Sequence, residues 1–268
     1  MSSYPIIFQI SLPRSGSTAA LRCFEAQGIF QIFHEPSIKL YELKQRWGLT
    51  QFLFRPDHNI NTFEQLEATL LKASIQSPVY VKDIAYSSYE WLSQSGLLKN
   101  PQVHFIFLIR SPYDQLVSIS KQFEMMSIPL KMVTGVYDYE ILERLIQVCR
   151  KAAPDRTLVI EADGLYQYPE IVIRTIAEQA KLEITQVNLE WPQKCSHFTG
   201  EEWHESKKPD YFRKWHHDAI TSTSFQALPR YPQNWSQFSD PRWAQHIVKK
   251  NSAAYQRIFT CSCSCSEH

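Results

Sequence analysis

Short apolar runs recur along the chain, each closed by a polar or glycine-bearing turn and followed by residues at helical spacing. Pro5-Ile6-Ile7-Phe8-Gln9-Ile10 reads as a first strand, and Ala19 to Gln27 as the helix after it. Gly28 stands where that helix should stop. Ile29 to Phe33 predicts a second strand, closed by His34-Glu35-Pro36, with a helix from Ile38 to Trp47. A loop over Gly48 to Ile60 leads to a helix over Thr62 to Gln76, where Thr62 and Gln65 have the spacing of a capping box. Val79 to Ile84 predicts a third strand, with helical signal to about Ser95. Val103 to Ile109 is almost wholly apolar, as a central parallel strand should be.

Past that strand, Ser111 and Pro112 suit the N-cap and first position of a helix reaching about Phe123. A loop over 124–138 and a helix over Tyr139 to Lys151 follow. Thr157 to Ile160 predicts the last strand, closed by an acidic turn at Glu161-Ala162-Asp163, and Pro169 to Lys181 a helix. After Leu189 periodicity fades, and Trp191, Trp203, Trp215 and Trp235 are interleaved with polar residues. This predicts a long covering loop, about 190–240, before a last helix over Pro241 to Phe259. Strands alternating with helices predict an α/β single domain, a central parallel sheet flanked by helices, spanning 1–260 with a tail at 261–268.

Composition narrows the classes. The 268 residues suit one large domain, and a hydrophobic fraction of 44% suits a packed core. Lys plus Arg number 28 against 27 Asp plus Glu, so an anion site must be local rather than a property of the whole surface. No basic leader and no long apolar segment are read, which predicts a cytoplasmic protein. Cys23, Cys149 and Cys195 are scattered. Cys261, Cys263 and Cys265 alternate with serines near the end, a spacing unlike a zinc knuckle, and no metal site is expected.

Candidate chemistry gathers at predicted strand ends, the edge where ligands bind in open α/β sheets. Between the first strand and helix stands Leu12-Pro13-Arg14-Ser15-Gly16-Ser17-Thr18. A helix N-terminus offers unpaired N–H groups and a partial positive charge to an anion. Gly16 permits close backbone approach, Arg14 adds a cation, and Ser15, Ser17 and Thr18 add hydroxyls. The Gly-Lys pair of nucleotide-triphosphate loops is absent from the chain. Arg110 ends the fourth strand, and Ser111, Gln115 and Ser118 share one face of the next helix, so Arg110 and Ser118 are placed to grip a second anion.

The Pro-Arg-Ser-Gly-Ser-Thr loop resembles the 5′-phosphosulfate loop of sulfotransferases that use PAPS (3′-phosphoadenosine 5′-phosphosulfate). The Arg110…Ser118 pair resembles the 3′-phosphate site of the same family. Val159 to Asp163 with Tyr168-Pro169 is similar to that family's strand, acidic turn and Pro-led helix. The resemblance covers roughly residues 5–182. It implies a P-loop-like sulfotransferase architecture, PAPS as cofactor with PAP as product, and transfer of a sulfuryl group to a hydroxyl or amine of a small-molecule acceptor. Some members carry a Lys-x-His pair on a middle strand. Here that strand reads Lys82-Asp83-Ile84, and the histidine is missing. Other members use a Glu after the second strand, the place of Glu35. The resemblance therefore implies Glu35 as base, with His34 beside it as the other titratable candidate, and Arg14 and Lys82 as stabilisers of the transferring group. Strand alternation predicts that only one of His34 and Glu35 reaches the substrate. The late stretch Trp203 to Phe225, with Lys207, Lys208, Arg213 and Lys214, is expected to close over the cofactor. A small-molecule kinase and a non-catalytic PAP-binding protein are the competing readings.

Overall fold

Five short, mostly apolar strands pair only in parallel and only through helical crossovers. The computed structural model describes residues 3–45, 60–125, 127, 137–192 and 217–263. The strands are β1 (Ile6–Ser11), β2 (Gln31–His34), β3 (Val79–Ile84), β4 (Val103–Ile109) and β5 (Thr157–Glu161), in the order β2-β3-β1-β4-β5. β1 lies at the centre, with Ile6 beside Val79 of β3 and Val103 of β4. Every residue of β1, β3 and β4 is buried, so each side chain must pack against a helix on one face or the other.

Two apolar layers result. The first holds alternate residues Phe8, Ile10, Val81, Phe105 and Phe107. Against them pack α3 (Phe63–Ala73), α4 (Ala85–Leu92), α5 (Pro112–Met125), α6 (Tyr139–Ala152) and α10 (Pro241–Cys263). The second holds Ile7, Tyr80, Ile106 and Leu108 under α1 (Ser17–Ala26), α7 (Ala162–Gln167) and α8 (Pro169–Gln179). The chain leaves β1 over the second layer and β4 over the first. The strands' carboxyl ends therefore part between β1 and β4, where such sheets form their crevice. Among the described residues, the remaining α-helices are α2 (Pro36–Gln45) and the short α9 (His217–Thr221).

The architecture agrees with the sequence reading, with local differences. β2 starts two residues later than predicted, because Gly28 turns the chain at φ 73° and Ile29 is exposed. The acidic turn after β5 is the start of α7. The last helix runs past Phe259 to Cys263, through Thr, Ser and Cys residues whose weak helix propensity made an earlier stop the natural expectation. The loop predicted over 48–60 lies, except for Ile60, outside the described residues. So do the basic stretch from Trp203 to Trp215 and residues 264–268. Among the described residues, no helix is long and apolar enough to cross a membrane.

Candidate functional site

The turn after β1 is built by two left-handed residues in three. Arg14 has φ 66° and Gly16 φ 81°. Ser15 locks the turn from inside: its Oγ donates to Leu12 O at 2.8 Å and accepts from Gln115 Nε2 at 3.0 Å. Gln115 Nε2 also donates to Pro13 O. α1 begins at Ser17 with no side-chain cap, its first bonds running from the Ala19 and Ala20 N–H groups to Gly16 O. Among the described residues, no acceptor is found for the backbone N–H groups of Ser15, Gly16, Ser17 and Thr18. Two of these donors open the helix and two stand in the turn just before it, the place where a helix N-terminus can hold an anion.

The predicted arginines and Ser118 meet here. Arg14 Nε donates to Ser118 Oγ at 3.1 Å, and Arg14 Nη2 lies 3.4 Å from Asp218 Oδ2 on α9. Burial pulls the Arg14 guanidinium below its ordinary value. Asp218 opposes that shift, and the like charge of Arg110 adds to it. Arg110 donates through Nη1 to Arg14 O at 3.0 Å and through Nη2 to Pro229 O at 2.6 Å. Tyr139 Oη lies against the Arg110 carbonyl and 2.6 Å from Gln115 Oε1, two acceptors that share its single hydrogen. The predicted face of α5 therefore does turn toward the first loop: Gln115 and Ser118 both touch it.

Tyr166 on α7 covers the loop from the other side. A Cβ placed on Gly16 would stand 2.6 Å from its ring. Burial pushes the Tyr166 phenol up to about 12, against the pull of Arg110 and Arg14. Phe225 packs edge-on against this ring at 5.2 Å.

Glu35, His34 and Lys82 form a second cluster, carried by β3 next to β1 and by the end of β2 beyond it. Lys82 is buried on β3, and its Nζ donates to Glu35 Oε1. His34 Nε2 lies 3.7 Å from the same carboxylate oxygen. The expected separation of His34 from Glu35 by strand alternation does not hold. Glu35 has left the strand, with φ 50°, and this turn brings its carboxylate back toward the imidazole. The Glu35 N–H still donates to Lys82 O at 2.6 Å, so the backbone of β3 holds the turn.

Sequence reasoning missed Tyr139, Tyr166, Asp218 and Pro229 as members of this region. Only Gln115 carried a signal, its place on the helix face between Ser111 and Ser118.

Comparisons with known proteins bear on the fold. No family model and no curated protein matches the chain. Solved structures do. A sulfotransferase domain from the Synechococcus PCC 7002 olefin synthase is 20% identical with a TM-score of 0.54, over 94% of this chain and 96% of that one. A sulfotransferase domain from the curacin biosynthetic pathway is 16% identical with a TM-score of 0.56, over 94% and 99%. Mouse sulfotransferase SULT7A1, complexed with PAP, is 12% identical with a TM-score of 0.51, over 97% and 88%. The chain has the sulfotransferase fold, along nearly its whole length.

Proposed function

We propose that the chain is a PAPS-dependent sulfotransferase acting on a hydroxyl or amine of a small-molecule acceptor. One observation supports this most. Arg14, Arg110 and Ser118 converge on a helix N-terminus whose first N–H groups have no acceptor among the described residues. The donor set suits the two anionic ends of a 3′-phosphoadenosine nucleotide. Ser118 accepts from Arg14, which leaves its own hydrogen to donate. Two of the five N–H bonds of Arg110 go to carbonyls, which leaves others for a phosphate. The likeness to SULT7A1, whose structure holds PAP, agrees with this cofactor class.

PAPS, when bound, supplies the sulfuryl group and leaves as PAP. In the roles proposed here, the N–H groups of Ser15 to Thr18, with Arg14, hold the charge of the 5′ end and of the departing phosphate. Arg110 and Ser118 hold the 3′-phosphate. Glu35 takes the proton of the acceptor group. Lys82 compensates the carboxylate while it is charged, and when Glu35 is protonated its ammonium is released to the transferring group. His34 flanks the same oxygen and orients it.

Isothermal titration with PAP on the wild type and on Arg110→Ala tests the reading. We expect micromolar binding by the wild type and a loss of at least about tenfold in the variant, since a charge-assisted hydrogen bond contributes about 1.5–3 kcal/mol. A folded wild type that ignores PAP and binds Mg²⁺–ATP would move the assignment to phosphoryl transfer.

A further inference from the structure

Lys82 and its neighbour Asp83 are both buried, and both point at the Glu35 turn from opposite faces of the sheet. Asp83 is fully buried and lies on the face away from Lys82. Its Oδ2 accepts the N–H of Ser37 at 3.3 Å, in the first turn of α2, and its Oδ1 accepts the N–H of Ile84 at 2.9 Å. Ser37 is anchored a second time. Its Oγ donates to Ser87 Oγ at 2.8 Å, and Ser87 Oγ donates to Ile84 O at 3.0 Å. Ser88 Oγ lies 3.4 Å from Ser37 Oγ. A carboxylate at a helix N-terminus is favourably placed against the helix dipole.

The turn between these anchors is strained. Glu35 is neither Gly nor Asn yet has φ 50°, a conformation that costs about 1–3 kcal/mol and persists only where its surroundings hold it. Its N–H is held by Lys82 O and its carboxylate by Lys82 Nζ. Two residues on, Asp83 fixes the chain. We infer that Asp83 is a positioning residue, which pins the first turn of α2 and thereby aims the Glu35 carboxylate at Lys82 and His34. The geometry stands by itself; only the catalytic meaning of that aim rests on the sulfotransferase reading.

Titration agrees with a charge held in a costly place. Burial pushes the Asp83 carboxyl up to about 7, with the Ser37 and Ile84 N–H bonds pulling it down, the charge of Glu35 raising it and that of Lys82 lowering it. Ser37 of α2 and Ser87 and Ser88 of α4 present only N–H and hydroxyl groups to this region. A carboxyl raised in the fold contributes stability that is present below the ordinary carboxylate range and is lost as pH rises toward 7. Asp83→Asn, which carries no charge, is therefore expected to gain on the wild type in unfolding free energy between pH 5 and pH 8.

The test of positioning is the titration of His34, followed by NMR in full-length chain labelled with ¹⁵N-histidine and assigned with His34→Gln. Withdrawal of the Glu35 carboxylate from the imidazole lowers the pH at which the ring is half protonated. Asp83→Ala is expected to lower that midpoint by about half a unit or more. Loss of stability with an unmoved His34 midpoint would mean a purely structural role and overturn the inference. If Asp83→Ala does not fold, Asp83→Asn carries the test, with a smaller shift in the same direction expected and an unmoved midpoint overturning it. The readout needs no nucleotide, so failure of PAP to bind the wild type would sink the functional reading and leave this one standing.

Discussion

Lys82→Met lowers the unfolding free energy by about 3–5 kcal/mol, the cost of leaving one member of a buried ion pair without its partner. Side-chain exposure is 2% for Lys82 and 8% for Glu35, so water cannot replace the lost ammonium. Met keeps most of the aliphatic stem, so the penalty reports charge rather than volume. The nearest alternative partner is His34, 3.7 Å from the same oxygen, which can take up a proton and recover part of the loss at low pH. The variant is therefore weakest relative to wild type above neutrality. Adding Glu35→Gln to Lys82→Met removes the stranded charge and restores most of the stability, since replacing both members of a buried pair is often nearly neutral. Urea denaturation of the two single variants and the double variant at pH 8 gives the coupling energy directly. A loss below about 1 kcal/mol for Lys82→Met would mean that the pair behaves as a solvated one.

Gly16→Ala is expected to cost roughly 2–5 kcal/mol and to remove nucleotide binding. Two effects add. A left-handed residue with a Cβ costs about 1–2 kcal/mol. The new methyl also meets the Tyr166 ring at 2.6 Å, and Phe225 stands behind that ring, so overpacking adds about 1–3 kcal/mol. Gly28 supplies the control. Its φ of 73° carries the same backbone penalty, but among the described residues nothing beyond its chain neighbours lies within 4 Å of the methyl that Gly28→Ala would add. The difference between the two variants isolates the Tyr166 contact. Gly28→Ala should leave PAP binding unchanged, and equal stability losses in the two would contradict the close approach at Gly16.

What was legible in the sequence was whatever local pattern determines. The runs Val103–Ile109 and Ile6–Ser11 are too apolar to be anything but buried strands. The Arg14 loop was visible because strand, glycine and helix follow one another without a gap. The face of α5 carrying Gln115 and Ser118 followed from helical period alone. What failed was local too. Alternation along β2 placed His34 and Glu35 on opposite sides, but it applies only while the chain stays extended, and Glu35 does not. Long-range pairs left no trace. Nothing near Lys82 in sequence announces Glu35, 47 positions away. Nothing near Arg110 announces Tyr139 or Pro229. These contacts exist because the sheet order sets distant strand ends side by side, and sheet order is not a local property.

That order also dictates when the molecule can assemble. The central strand β1 is made before both its neighbours: Ile6 pairs with Val79 and Val103, which follow it by 73 and 97 residues. At a synthesis rate of about 5–20 residues per second, the nascent chain carries β1 with at least one edge unpaired for roughly 5–20 s before β4 exists. One edge of β1 cannot close before β3 is made and the other cannot close before β4, so the sheet stays incomplete around its central strand until both have left the ribosome.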